Sequence, residues 1–178
     1  GRPRAPVSRR VNPGGGAQGG ALRMGGKPAP FGVDEEQLDE VLNLLEADPG
    51  LDLQGLHLFT GTQILDHAVV VDQYRHGLRV ARRAAARLGR PLRTLDFGGG
   101  FGIPYFANET ELDTGKLGEE LRALFIEVDA DPLFRGTRFV LLASVGVIMG
   151  GIGSIPGAML GGIFLGLLEN LGIWKLPS

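Results

Sequence analysis

Between Val7 and Val128 short apolar runs alternate with amphipathic stretches of helical period, and this alternation confines the chain to α/β units around a parallel sheet. The order reads strand, helix, strand, helix, strand, helix, with a last short run from Arg138. The first helix opens at Asp34, with Gln37 as its capping-box partner, and carries Leu38, Val41, Leu42 and Leu45 before Asp48, Pro49 and Gly50 end it. Leu53 to Phe59 reads as a buried strand. Asp66 to Leu88 gives a second helix with the stripe Tyr74, Leu78, Ala81, Ala85 and Leu88, stopped by Gly89 and Pro91. Leu92 to Phe97 is the next strand, and Thr114 caps a third helix carrying Leu117, Leu121, Leu124 and Phe125. Four strands, starting near Val7, Leu53, Leu92 and Arg138, cannot close an eight-stranded barrel, which takes roughly 250 residues. The expectation is a partial (β/α) barrel of TIM type with open edges.

Composition narrows the chemistry. With no cysteine, disulfides, cysteine-ligated zinc, iron–sulfur clusters and cysteine nucleophiles are excluded. His57, His67 and His76 are the only imidazoles. A net charge of -2 leaves no global basic excess, so no nucleic-acid partner is expected. Residues 1 to 30 carry Arg2, Arg4, Arg9, Arg10, Arg23 and Lys27 without an acid, but no long apolar core follows, which argues against a secretory signal.

A sharp change follows Arg138. From Phe139 to Leu168 there are 30 residues without a charge, more than the ~18 to 20 at which a membrane span is suspected. Gly150, Gly151, Gly153 and Pro156 interrupt the run, so two half-length helices joined by a break stand beside one tilted span. G-x-x-x-G spacings beginning at Gly153, Gly157 and Gly162 permit close helix packing in lipid. A glycine-rich buried helix pair of a soluble protein is the alternative. The expected division is 1–138 for the β/α part and 139–178 for a hydrophobic, glycine-rich helical tail.

Gly98, Gly99 and Gly100 come directly after the strand Leu95-Asp96-Phe97. Glycines at the carboxyl end of a parallel strand let an anion approach several N–H groups at once, and α/β proteins bind anionic ligands there. A tight strand-to-loop turn is the plainer reading of such a triplet.

Four ordered segments sharpen this: Arg10-Val11-Asn12-Pro13, Phe31-Gly32, Gly55 through Gln63 (G-L-H-L-F-T-G-T-Q), and Asp96 through Tyr105 (D-F-G-G-G-F-G-I-P-Y). Together they resemble the barrel domain of fold-type III pyridoxal-phosphate decarboxylases, the diaminopimelate and ornithine decarboxylase group. G-G-G-F-G-I-P-Y is familiar from the branch associated with exosortase systems. The resemblance covers roughly residues 5 to 138 and implies a carbon–carbon lyase of amino acids. It places the cofactor phosphate on Gly98, Gly99 and Gly100, with the Thr62 hydroxyl as a further contact. Phe59 stands where the family stacks a histidine on the pyridine ring. His57 matches a histidine common in the diaminopimelate members, and could equally be a core residue. Arg10 matches the arginine of R-x-N-P, and could equally be a surface charge.

Departures from the family pattern matter as much. The lysine that forms the family's Schiff base lies upstream of the R-V-N-P region and is expected to be missing from this sequence; Lys27 and Lys116, the lysines of the barrel part, do not occupy its position. The family's Glu-Pro-Gly-Arg segment, which serves the pyridine nitrogen, is replaced by Arg138-Phe139-Val140-Leu141-Leu142 running into Ala143-Ser144-Val145. The second domain, through which the family forms homodimers with a catalytic cysteine shared across the interface, has no counterpart. The expectation is a fragment that retains part of the phosphate site, binds pyridoxal phosphate weakly or not at all, and has no catalytic residue and no metal.

Met149 to Gly162 (M-G-G-I-G-S-I-P-G-A-M-L-G-G), with Phe164-Leu165-Gly166-Leu167-Leu168-Glu169-Asn170 after it, resembles the C-terminal part of branched-chain amino-acid ABC transporter permeases. That resemblance implies a transmembrane role in amino-acid transport. The whole chain then reads as a chimera of two families joined near Arg138, cytoplasmic in its first part and associated with the inner membrane through 139–168. The alternative function is a permease segment carrying a non-functional soluble passenger.

Overall fold

The computed structural model describes residues 3–14, 22–23, 31–58 and 61–140. Phe59, Lys27 and the expected membrane tail beyond Val140 lie outside the described residues. All described residues fall in one compact unit, Gly1–Leu141.

The elements follow the expected alternation: β1 (Ala5–Asn12), β2 (Leu22–Arg23), β3 (Val33–Asp34), α1 (Leu38–Ala47), β4 (Leu51–Leu58), β5 (Gly61–Thr62), α2 (His67–Leu88), β6 (Thr94–Asp96), α3 (Thr114–Asp129) and β7 (Arg138–Val140). Five strands form one sheet in the order β3-β1-β4-β6-β7, every pairing parallel, while β2 and β5 form a separate antiparallel pair. From β1 to β7 the spatial order repeats the chain order. That is the winding of a (β/α) barrel, since a doubly wound sheet reverses its order at a switch point. Helix α2 alone spans 22 residues, opened by the Asp66 carboxylate accepting from the Ala68 N–H and closed by Gly89 in the left-handed conformation at φ 66°.

Alternation along the strands separates two faces. Val11, Leu56, Leu58 and Leu95 are each at most 1% exposed and meet the apolar stripes of the helices. On that side Phe97 stacks on Tyr74 with ring centroids 4.3 Å apart, and Phe139 meets Phe125 edge-on at 4.9 Å. Leu88, expected in the stripe of α2, is only half-buried.

Several expectations change. Asp34 does not cap α1: it ends β3, a 3-10 turn fills Glu35–Gln37, and the α-helix begins at Leu38. The Asp34 carboxylate makes no cap hydrogen bond and instead faces the Asn12 amide at 3.4 Å, so the capping box does not form. Asp113, not Thr114, caps α3, its side chain accepting from the Lys116 N–H at 2.9 Å. The main sheet has a fifth strand, β3, whose two residues are too few to show a period in sequence. Phe139 and Val140, expected to open the hydrophobic tail, are the end of β7 and pair with Leu95 and Asp96. Among the described residues no helix is long and apolar enough to cross a membrane.

At Gly55 strands β4 and β6 come so close that a Cβ would stand 2.1 Å from the Thr94 carbonyl oxygen. Gly55→Ala is therefore expected to lower stability by at least the ~1–3 kcal/mol typical of overpacking, because backbone cannot move aside as a side chain can. Gly118→Ala on α3, where nothing lies within 4 Å of a new methyl group, is expected to raise stability. The gain should be about 0.5–1 kcal/mol from helix propensity. Denaturant midpoints of the two variants check both signs.

Candidate functional site

A bulge sets the registry of the site. Between Val7/Leu53 and Ser8/Gly55 the pairing of β1 with β4 skips Gln54, and this brings Arg10 opposite His57. His57 in turn is opposite Asp96 on β6, and Asp96 is opposite Val140 on β7. Residues paired across parallel strands share a face, so Arg10, His57 and Asp96 form one row on the face away from the helices. All three are half-buried.

The row is electrostatically coupled. Burial pushes the His57 imidazole below its ordinary value of 6.5; the Asp96 carboxylate opposes this and the Arg10 guanidinium reinforces it. His57 thus stands as a neutral imidazole between a cation and an anion at neutral pH.

At the carboxyl end of β1 the R-V-N-P and F-G segments prove to be packed together. Buried Asn12 donates from its amide to the Phe31 carbonyl at 2.8 Å. Gly32 adopts φ +83° against Arg10, where a Cβ would meet the Arg10 backbone oxygen at 2.9 Å. Next to them Glu35 accepts from the Gly14 N–H at 2.9 Å and meets His76 Nε2 at 2.7 Å, tying the loop after β1 to α2. Burial works against the ionised Glu35, yet the bonds from Gly14 and His76 and the nearby Arg83 hold its carboxyl below its ordinary value.

At the carboxyl end of β6 the glycine run folds back on the segment after β4. The Ile64 N–H donates to the Gly100 carbonyl and the Gly102 N–H to the Ile64 carbonyl, both at 2.9 Å, with a parallel bridge between Ile64 and Phe101. A Cβ on Gly100, itself at φ +105°, would lie 2.3 Å from the Gly61 oxygen. Gln63 holds the same two segments with its side chain, donating to the Ile103 carbonyl and accepting from the Ile103 N–H at 3.3 Å, from a left-handed backbone at φ 58°. Gly98, at φ 66°, donates its N–H to Asp96 Oδ1 at 2.8 Å. Gly99 and Gly100 have no N–H partner among the described residues.

The structure thus brings Gly100, the last of the three glycines, against the strand that carries Thr62, and places Arg10 and His57 side by side on the face away from the helices. Phe59, between the two groups in sequence, lies outside the described residues. The sequence motifs contain Asp96 and Gln63 yet assign neither a role. The only cue to Asp96 is a polar side chain two residues before a glycine that turns, and nothing comparable marks Gln63. Among the described residues no group of acids and histidines could hold a metal ion.

The neutral His57 gives the fold a pH dependence. Below about pH 6.5 the unfolded chain takes up a proton that the folded chain refuses, so stability falls on acidification through that range. Glu35 acts lower: the stability it lends is present above its ordinary value of 4.5 and is lost as pH falls below it. His57→Gln is expected to flatten the upper part of the stability–pH curve and leave the lower part, as read from denaturant midpoints. Equal slopes above pH ~5 in the variant and the wild type would contradict this assignment.

Known proteins share the fold. Residues 2–132 match the pyridoxal-dependent decarboxylase family over its pyridoxal binding domain. An L-glutamyl-[BtrI acyl-carrier protein] decarboxylase from Niallia circulans is 32% identical over 137 residues, 77% of this chain and 32% of that protein. A diaminopimelate decarboxylase from Methanothermobacter thermautotrophicus is 33% identical over 121 residues, 67% of this chain and 28% of its own length. Among solved structures, a single-residue mutant of diaminopimelate decarboxylase from Helicobacter pylori complexed with L-lysine superposes with a TM-score of 0.59 at 26% identity, over 78% of this chain and 33% of that one. The chain therefore spans about a third of the length of these relatives. By its fold and the match over 2–132, it belongs to the pyridoxal-dependent decarboxylases, as their pyridoxal-binding domain.

Proposed function

We propose that residues 5 to 138 hold the phosphate and one face of pyridoxal phosphate for a decarboxylase acting on an amino acid. The observation that carries this is the glycine run at the end of β6. Its Gly99 and Gly100 amides lack partners among the described residues, and the Gly100 backbone can pass the Gly61 carbonyl only because Gly100 has no side chain. A phosphate at this place would take those N–H groups and the Thr62 hydroxyl, each contact to the charged group contributing about 1.5–3 kcal/mol. The backbone donors are fixed before binding by the bridge between Ile64 and Phe101, so little ordering is needed on arrival.

Arg10 and His57 lie on the open face beside this cradle, and we assign them to the pyridine ring and a substrate carboxylate. His57, kept neutral, can accept or donate one hydrogen bond without adding charge. Phe59, two residues beyond it, offers a flat apolar ring for stacking in the reading drawn from the family. Bound pyridoxal phosphate supplies the electron sink for the bond to the departing carboxylate. The relatives named above are decarboxylases of different amino acids, so the reaction class is proposed and the substrate is not.

The described residues supply binding without turnover. Their single lysine, Lys116, is exposed on the first turn of α3, and the chain has no cysteine. Carbon dioxide release from diaminopimelate, lysine, ornithine or arginine by this chain with added pyridoxal phosphate is expected to equal a no-protein control. For the sequence beyond Val140, without a charge as far as Leu168, we keep the permease-like, membrane-associating reading as a separate proposal, tested by flotation of the full chain with anionic liposomes.

Thr62→Val removes the hydroxyl and keeps the shape, and is expected to weaken pyridoxal phosphate about 10-fold to 100-fold. Gly99→Val, at the one glycine of the triplet outside the left-handed region, should abolish binding by covering the Gly99 and Gly100 amides. Titration by cofactor absorbance or fluorescence decides. Wild-type affinity in both variants would reduce the triplet to a turn.

A further inference from the structure

We propose that Asp96 is a positioning residue that commits the Gly98 N–H to its own carboxylate, leaving Gly99, Gly100 and Thr62 as the phosphate donors. The proposal deepens the reading given above and rests on it. It concerns which of three adjacent amides faces an anion, a distinction that a run of three glycines conceals.

Asp96 is the last residue of β6, and its Oδ1 accepts the Gly98 N–H at 2.8 Å, two residues on. This is an Asx turn, in which an aspartate side chain replaces a backbone carbonyl and bends the chain at once. The bend puts Gly98 at φ 66°, and Gly100 follows at φ +105° against Gly61. Once the first amide is turned back to the strand, the next two are the ones left unpartnered among the described residues. A phosphate that sought the Gly98 amide would have to displace the carboxylate. The displaced Asp96 would then stand half-buried beside a second anion without its hydrogen bond, a costly arrangement.

The acceptor and the charge of Asp96 have separate consequences. As an acceptor it shapes the loop; as a charge it acts across the register on His57, its direct neighbour on β4. Asparagine retains the acceptor oxygen and removes the charge, whereas alanine removes both.

The experiment uses the full chain labelled with nitrogen-15, as wild type, Asp96→Asn and Asp96→Ala, each checked by thermal denaturation. Without ligand, the Gly98 amide is expected to resist hydrogen exchange in the wild type and in Asp96→Asn, and to lose that protection in Asp96→Ala. On titration with pyridoxal phosphate, and with inorganic phosphate as a second probe, the Gly99 and Gly100 amides should shift while Gly98 stays in place. Asp96→Ala should bind pyridoxal phosphate about 10-fold more weakly or worse, and Asp96→Asn should retain affinity or gain it. Asp96→Asn should also lower the apparent pKa of His57, read from its ring proton shifts, since the opposing charge is gone. A role in folding alone would lower the stability of Asp96→Ala without changing its affinity for pyridoxal phosphate or the shift pattern of the three glycines. If Asp96→Ala does not fold, the wild-type shift pattern and the Asp96→Asn titration still decide. A Gly98 shift matching those of its neighbours, or equal loss of affinity in both variants, overturns the Asp96 assignment and leaves the cradle standing. Absence of any shift at the three glycines overturns the cradle itself and the donor assignment with it.

Discussion

The proposed phosphate cradle hangs on one backbone contact, the pairing of Ile64 with the glycine run after β6. Two hydrogen bonds of 2.9 Å join Ile64 to Gly100 and Gly102 beyond the ends of the strands. Ile64, 1% exposed, anchors the contact in the hydrophobic core, so the loops after β4 and β6 are held as firmly as the sheet they leave. Without that bridge Thr62 and the glycine amides would be two independent surface loops, and an anion would have to bring them together at its own entropic expense. Gly100 and Gly102 are glycine chiefly so that this contact can form, since a Cβ on either would strike the 61–64 backbone within 3 Å.

The opposite demand governs the neighbouring face. Arg10, His57 and Asp96 are polar groups on a surface that a closed barrel would bury, and they can remain there because charge alternates along the row. Cation, neutral imidazole and anion lie in register on three strands, and burial together with the Arg10 charge outweighs the Asp96 charge in keeping His57 unprotonated. The helix-facing side has no such problem: Leu56, Leu58 and Leu95 are fully buried there and the aromatic cluster of Tyr74, Phe97 and Phe139 closes its end. One face holds the sheet together and the other is left for chemistry.

The three main helices and the strands near Val7, Leu53, Leu92 and Arg138 are legible in the sequence because each carries a long apolar period or a clear stop, such as Gly89 at the end of α2. What escapes has a common physical reason. Strand β3 is too short to have a period, and its Asp34 reads as a helix cap because the same residue types serve turns and caps alike. Adjacent cap candidates Asp113 and Thr114 differ only in which side chain reaches the free amide, which sequence does not fix. Arg10 and His57 are found by motif, but their being neighbours depends on the bulge at Gln54; one residue of slippage would set Arg10 against Leu56 and turn it to the wrong side. Asp96 and Gln63 escape because their work is done on main-chain atoms, and main-chain geometry leaves almost no mark on residue choice.

Gln63 shows where that choice becomes narrow. Its backbone sits at φ 58°, a conformation that costs an ordinary side chain roughly 1–2 kcal/mol, and its amide clasps both the N–H and the carbonyl of Ile103. Glycine would relax the backbone and forfeit the clasp. Asparagine tolerates the left-handed conformation better, yet is one methylene too short for the same reach. Glutamate has the length but no hydrogen to give the carbonyl. The position is therefore a compromise with no free direction of improvement: the clasp on Ile103 helps hold the loop after β4 to the loop after β6, against the cost of the backbone conformation it requires.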